Sequence, residues 1–548
     1  MISSDLLRVL LLLIFLFGTG LSGMRDDAMT PNILKSLMKP SAYPVVTGTV
    51  ELLQTHVSWI FLTDTHAFKL KKPVNFGFLD FSTVELRRFY CLEELRLNRR
   101  LCPDIYEAVV ELRESPEGAS FHGSGAIIDY AVMMKRLPAD RMLDGLVERG
   151  EVAPDDMKNV ASVISRFHKG AETSEYISAF GAVEQILINW RENFEQLVQF
   201  NSTTLPADDL EVIKSWVMAF TEANSDLFTR RVEDGFIREC DGDLHLENIC
   251  LVDGRPYIFD CIEFNERFRF CDTAADIAFL LMDLDFHNRS DLSEVVISSY
   301  LAASGDFEMT ELIDFYKVYR AVVRGKVESF RLNDAGITDA AKELAERRAT
   351  LYFRLARGYI ERLRLPLTLF ITCGTTGCGK STLAGELAFE LGIKACNSDF
   401  VRKKMAGIHP ETAVHEDYGE GLYADSVSEK TYRELERIAG DELAAGNSVI
   451  VDAGFRNVAE RGRFASLAAK HHARFIILSL SCDENEQQER LVMRSAGGTS
   501  VSDGRIGLLA QQKSDFERPS NEEGWVIAVV SNLSPERLTG VIYRELKL

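Results

Sequence analysis

The sequence predicts two folded units of different class, an α+β unit and then an α/β unit with a parallel sheet, meeting near residue 365. Three observations predict this. The chain has 548 residues, more than one hydrophobic core organises. Strand-like and helical stretches are mixed ahead of Leu365, whereas beyond Pro366 apolar runs alternate with helical stretches, the pattern of a parallel sheet covered on both faces. A glycine-rich stretch follows the first of those runs and opens a helix. The expected division is an apolar extension over 1–28, a first unit over 29–365 and a second over 366–548.

In the first unit, VSWIFLTDTHAFKLKKPV reads as two short strands around Thr63 to Thr65. FSTVELRRFYCLEELRLNRRL reads as a helix with Ser82 as its cap and apolar residues at helical spacing. IIDYAVMMKRL is a further strand that Pro138 ends. From about Arg141 to Leu365 the pattern is amphipathic helix, interrupted near Arg238 to Phe270. Within the interruption, Asp253-Gly254 between two apolar runs predicts a tight hairpin. In the second unit the strands are LTLFITC, IKACNS, NSVIVDA, ARFIILSLS and WVIAVV.

Composition fixes the setting. Hydrophobic residues make up 46% and charged residues 26%, as in ordinary globular chains. A net charge of -21 disfavours nucleic acid as a partner, because gripping phosphates takes a surplus of Lys and Arg. The 10 cysteines show no C-x-x-C pair, so they read as reduced, mostly buried thiols of a cytoplasmic protein. The uncharged run from Val9 to Met24 sits apart from that reading. It fits a signal-like segment, a short membrane anchor, or upstream sequence from an early start codon with Met24 or Met29 as later starts; the last is preferred. A membrane contact is expected only if that segment is retained.

The chemistry of the second unit begins at Gly374-Thr375-Thr376-Gly377-Cys378-Gly379-Lys380-Ser381, with Thr382 next. This is G-x-x-x-x-G-K-[ST] after a strand and before a helix, the context in which backbone N–H groups cradle phosphate. The expected ligand is ATP, with Lys380 on the β- and γ-phosphates and Ser381 on Mg²⁺. Asp452, ending SVIVD, is a second candidate for the Mg²⁺ shell. Asp399 is a candidate proton acceptor, Arg402 a substrate-positioning residue, and Arg490 and Arg494, four apart on one helix, a pair of lid cations. Alkylation of Cys378 is expected to obstruct the loop. These residues resemble small P-loop kinases of the polynucleotide kinase, gluconate kinase and zeta-toxin kind, over about 366 to 548. The resemblance implies transfer to a small hydroxyl acceptor.

The first unit has its own candidate site in CDGDLHLENICLVDGRPYIFDCIEFN. Asp243 and Asn248 have the D-x-x-x-x-N spacing of a kinase catalytic loop, and counting back from the hairpin turn sets Asn248 opposite Phe259 and brings Asp260 alongside. Lys69 and Lys71 share one face of FKLKK; by resemblance to kinases that pair a strand lysine with a helix glutamate, Lys69 is the preferred phosphate ligand and Glu94 of the following helix its partner. No glycine-rich loop precedes them. The segment resembles aminoglycoside phosphotransferase and choline-kinase-like enzymes, whose H-G-D-x-H-x-x-N loop here reads Asp241-Gly242-Asp243-Leu244-His245-Leu246-Glu247-Asn248. The resemblance implies a two-lobed protein-kinase-like fold, with Asp243 as base and Asn248 and Asp260 as metal ligands. Asp241 replaces the first His of that pattern and would raise the pKa of Asp243 by like-charge repulsion. The later acids Asp272, Asp276, Asp283 and Asp285 would either bind a cationic acceptor or cap helices and hydrogen-bond internally.

Together, TDTHAFKLKKPVNFGFLDFST, ELRLNRRL, GDLHLENI and CIEFN resemble bacterial two-module proteins in which an aminoglycoside phosphotransferase-like domain precedes a P-loop kinase-like domain, over about 45 to 540. The implied function is an ATP- and Mg²⁺-dependent phosphotransferase acting on a small hydroxyl-bearing substrate. A nucleotide sensor without catalysis and a polynucleotide kinase are the competing readings.

Overall fold

The computed structural model describes residues 30–334, 336–408, 421–497, 506–533 and 535–546. The apolar N-terminal segment lies outside them. Chain contacts divide into two compact units, Met1–Ala356 and Arg357–Leu548; the division falls inside the helix Asp339–Arg364, ahead of the expected 365. None of the described helices is long and apolar enough to cross a membrane.

The first unit opens with an antiparallel sheet of β1 (Glu51–Gln54), β2 (Ser58–Leu62), β3 (His66–Lys71), β4 (Tyr106–Ser115), β5 (Gly118–Ser120) and β6 (Ile127–Lys135). Its order is β1-β2-β3-β6-β4-β5. Strand alternation decides what each face does. Phe68 and Leu70 of β3 join Phe61, Leu112 and Ala131 in an apolar cluster on one side. Lys69 and Lys71 take the other, where the helix Val84–Asn98 packs on β4 and β6 and brings Glu94 to both lysines. The cap of that helix is Thr83, not Ser82: Thr83 Oγ1 accepts from Leu86 N at 3.2 Å. Ser82 is instead held in an Asx turn, its N–H donating to Asp80 Oδ1 at 2.9 Å.

Helices then dominate, interrupted by β7 (Ile237–Glu239), β8 (Ile249–Val252), β9 (Arg255–Ile258) and β10 (Phe270–Asp272). β7 pairs with β10, and β8 with β9 across Asp253 and Gly254, both at positive φ as a type I′ turn requires. Phe259 N donates to Asn248 O at 3.0 Å, which continues the hairpin ladder by one pair.

The second unit is a parallel sheet of β11 (Thr368–Cys373), β12 (Lys394–Asn397), β13 (Val449–Asp452), β14 (Arg474–Ser481) and β15 (Trp525–Val530), in the order β12-β13-β11-β14-β15. β11 is buried at every position. Leu369 and Ile371 pack into one core with Val449, Val451 and Phe464, and Phe370 packs into the opposite core with Leu387, Ile450 and Leu478. A strand covered on both faces reads as a continuous apolar run for that reason. The fold is therefore mixed α/β, with a P-loop at the end of the central strand.

Candidate functional site

In the first unit, four segments far apart in sequence converge on one cavity of about 500 Å³. Lys69 from β3 stands 3.0 Å from Glu94 Oε1 and donates to Asp260 Oδ1 at 2.5 Å. Burial alone would push the Lys69 amine down, but Asp260 and Glu94 overcome it, and its pKa is held well above the ordinary lysine value. Burial would likewise raise Glu94; Lys69 and Lys71 outweigh it and bring its carboxyl down to about 2. Lys71, fully buried, bonds Glu94 Oε2 at 2.7 Å and pairs with Glu263, so it serves the wall and only Lys69 lines the cavity.

The opposite wall is the segment Asp241 to Asn248. Asn248 Nδ2 donates to Asp243 Oδ2 at 3.0 Å and to the Asp243 carbonyl at 3.1 Å, which leaves the Asn248 side-chain oxygen for another partner. His245 Nε2 lies 3.4 Å from Asp243 Oδ2. Burial lowers the imidazole pKa, but the Asp243 and Glu247 carboxylates together more than reverse this and the net shift is upward. Asp260 adopts a left-handed backbone (φ 65), a strained conformation of about 1–2 kcal/mol that persists where tertiary contacts fix a side chain at a site. The oxygens of Asn248 and Asp260, beside Asp243, make a donor set suited to a hard divalent cation such as Mg²⁺.

The loop is held by two of the later acids, for which helix capping and internal hydrogen bonding were the expected alternative to binding a cationic acceptor. Asp276 accepts from the backbone N–H of Asp241 at 3.0 Å and of Gly242 at 2.8 Å, and Asp283 accepts from Leu246 N at 2.9 Å. Both come from the helix Thr273–Phe286, and their spacing of seven residues puts them on one face, a signal the sequence did carry. Arg320 clamps the Gly242 carbonyl at 2.9 Å from a separate helix. Gly242 itself cannot be replaced, since a Cβ there would lie 2.8 Å from Phe268 O and φ is +87°. Asp272 caps its own helix and pairs with Arg231, and Asp285 pairs with Lys317. The four later acids are thus internal anchors, and the alternative of a cationic-acceptor surface falls. Burial first, then the charges of Asp276 and Asp243, raise the Asp241 carboxyl well above its ordinary value.

In the second unit, the loop from Gly374 to Gly379 links β11 to the helix Lys380–Leu391. Gly377 has φ +79° and a Cβ would lie 3.0 Å from Leu491 Cγ. Lys380 Nζ donates to Thr375 O at 2.9 Å, and Ser381 and Thr382 are exposed at the helix start. Asp452 is buried at the end of β13, where Thr372 Oγ1 donates to its Oδ1 at 3.0 Å and Asn397 Nδ2 to its Oδ2 at 2.6 Å. Arg402 pairs with Asp399, so each is committed to the other. Arg490 donates to Ser531 O at 2.6 Å and to Glu486 Oε1 at 2.5 Å; the side chain of Arg494 lies outside the described residues. Cys378 is only 1% exposed, so the labelling that the alkylation expectation requires meets a thiol packed under its own loop. Two glutamines went unforeseen. Gln487 Nε2 donates to Thr375 Oγ1 at 2.8 Å and Thr376 O at 2.5 Å, and Gln512 Oε1 accepts from Thr376 N at 2.9 Å.

A family model described as an AAA domain matches residues 369–519. The uncharacterized protein Rv2004c of Mycobacterium tuberculosis is 31% identical over 477 residues, covering 87% of this chain and 93% of that protein. The uncharacterized protein Mb2027c of Mycobacterium bovis matches with the same figures. Among solved structures, a sugar kinase from a Janibacter species is similar at 18% identity and a TM-score of 0.26, over 33% of this chain and 95% of that one. A gluconokinase from Sinorhizobium meliloti is similar at 19% identity and a TM-score of 0.24, over 33% of this chain and 93% of that one.

Proposed function

The chain belongs to the family of the mycobacterial protein Rv2004c, and on that premise we propose that it is an ATP-dependent phosphotransferase with two nucleotide-binding modules, one in each unit. The observation that carries the reading is Lys69 fixed between Glu94 and Asp260 across one cavity from Asp243 and Asn248. A lysine held charged by two carboxylates is preorganised for phosphate oxygens, and its amine needs no reorganisation as charge develops there. Asn248 and Asp260 would hold Mg²⁺, which when bound neutralises charge on the phosphate oxygens. Asp243 accepts the proton of an acceptor hydroxyl, and His245 and Asn248 keep its carboxylate in place. In the second unit, the loop N–H groups, Lys380 and Ser381 bind a second ATP, with Asp452 toward the metal shell.

The test is ATP turnover by the full chain with Mg²⁺ and a panel of hydroxyl acceptors. Wild type would be compared with Lys69→Met, Asp243→Asn and Lys380→Ala. Acceptor-stimulated turnover should fall at least 100-fold in Asp243→Asn, about the lower end of what a general base contributes. Turnover unchanged in both Asp243→Asn and Lys69→Met would remove the first unit from the chemistry.

A further inference from the structure

Asp243 lines two cavities. One is the space shared with Lys69; the other, about 110 Å³, lies among Phe78, Trp190, Phe264, Phe268, Phe279 and Tyr319. No sequence motif pointed to the second. Its walls come from five separate parts of the unit, and its rim carries the Phe78, Phe264 and Phe268 rings with centroids 6.0–6.4 Å apart.

Its polar groups decide what it accepts. Glu192 is held by both terminal nitrogens of Arg267, at 2.8 and 2.7 Å. Asp272 is held by Arg231 at 2.9 and 2.7 Å. Among the described residues lining this cavity, Asp243 is therefore the carboxylate without an arginine or lysine against it. Arg320 adds positive charge to the same walls, and Arg324, set 3.5 Å from Glu247, lines them as well. Burial, only partly offset by Glu192, brings the Lys326 amine down to about 7, and it donates to Asn193 Oδ1 at 2.5 Å and to Gln196 Oε1 at 3.0 Å. On lining residues, the donors Trp190 Nε1, Asn193 Nδ2 and Arg324 Nη1 and the acceptor Asn189 Oδ1 have no hydrogen-bond partner and are sealed from the open space of the cavity.

We propose that this cavity is the acceptor site of the first unit, and that it takes an uncharged hydroxyl compound with a flat apolar body, not an amine cation. The inference rests on the phosphotransferase reading of Asp243. In the step, the acceptor oxygen forms a bond to the γ-phosphorus of ATP as the bond from that phosphorus to the β,γ-bridging oxygen breaks. The hydroxyl proton goes to the Asp243 carboxylate, ADP leaves with the electron pair of the broken bond, and the product is the phosphate monoester. Aromatic rings supply stacking area for a flat ring system, and an ammonium group would meet positive charge in place of the several carboxylates it needs.

The probes are hydroxyacetophenone and hydroxycoumarin against a kanamycin-type aminoglycoside, tested on the full chain with a non-hydrolysable ATP analogue. Binding is read by saturation-transfer NMR, and transfer is read separately with ATP by phosphorus NMR. The expected result is binding of the aryl compounds, weakened at least tenfold by Phe264→Ala and Phe268→Ala at the half-buried rim and abolished by Val323→Phe, which fills the cavity. The rim variants keep the test decisive if Val323→Phe misfolds. Asp243→Asn should bind as wild type does and transfer nothing. Asp243-dependent transfer to the aminoglycoside with none to the aryl compounds overturns this inference and leaves the phosphotransferase reading standing. Rim-dependent aryl binding with no transfer to any acceptor overturns the phosphotransferase reading and retains the ligand class. Aryl compounds that fail to bind, or that bind equally to the rim variants, overturn the ligand class.

Discussion

Asp241 is the residue at which the first unit departs most from a favourable electrostatic design. It is fully buried, Asp276 and Asp243 lie nearby, and its Oδ2 has no hydrogen-bond partner. Its folded pKa is raised, so the penalty is absent below the ordinary aspartate value, where both states are protonated. The penalty grows as pH rises from there toward the folded value, because only the unfolded chain ionises freely. Asp241→Asn removes the charge and keeps an acceptor for Asp243 N, which bonds Asp241 Oδ1 at 3.1 Å. The variant should gain on the order of 1–3 kcal/mol at about pH 7, the range for relieving a buried unsatisfied polar group, and nothing near pH 3. Urea unfolding at the two pH values measures this; an equal gain at both would mean that the charge is not the cause. Lys69 and Lys71 show how similar residues separate. Strand alternation put both beside Glu94, but only the packing of Glu263 against Lys71 assigned one to the wall and left the other facing the cavity.

Helices outside the phosphate loop and the Asp241 to Asn248 segment set the working geometry of both sites. The helix Thr273–Phe286 clamps the Asp241 to Asn248 segment through two aspartates, and the helix Glu484–Gly497 holds the P-loop through Gln487. Gln487 is 3% exposed, so its replacement leaves the Thr376 carbonyl buried without its donor. In a Lys69→Met background, Gln487→Leu should weaken ATP binding at the second unit about tenfold, equivalent to about 1.4 kcal/mol of lost loop order. Titration calorimetry reads the affinity directly; unchanged affinity would show that the loop keeps its shape without that helix. The strand–loop–helix context of Gly374 to Ser381 was legible because apolar run, glycines and helix pattern are all local. The glutamines were not, since nothing in E-N-E-Q-Q-E-R or L-A-Q-Q-K separates a loop ligand from a solvated helix face.

For the whole molecule, the prediction is a count of sites. Two modules, each with its own lysine, should bind two ATP-analogue molecules per chain in the presence of Mg²⁺. Lys380→Ala and Lys69→Ala should each reduce the count to one, and the double variant should bind none. A single site in wild type, lost in only one of the two variants, would leave the other unit without a nucleotide. The full chain is the right material for this count. The division between units falls inside the helix Asp339–Arg364, so a fragment beginning at Pro366 would lack the last turns of that helix, which belong to the second unit.

The sequence by itself determined the features written in neighbouring residues: the parallel sheet of the second unit from its apolar runs, the phosphate loop from its glycines, the hairpin from Asp253-Gly254, and the shared face of Lys69 and Lys71 from strand periodicity. It also carried the order of the candidate ligands along the chain. Only the tertiary structure decided which polar groups remain available. Arg402 is committed to Asp399, the four later acids to a helix cap, loop clamps and ion pairs, and Cys378 is sealed beneath its loop. The aromatic cavity beside Asp243 belongs to the same class, because its walls, from Phe78 to Val327, are brought together from segments far apart in the chain. Local periodicity sets the direction in which a side chain leaves its element. What it meets there depends on long-range packing, which a single sequence does not encode in any one window.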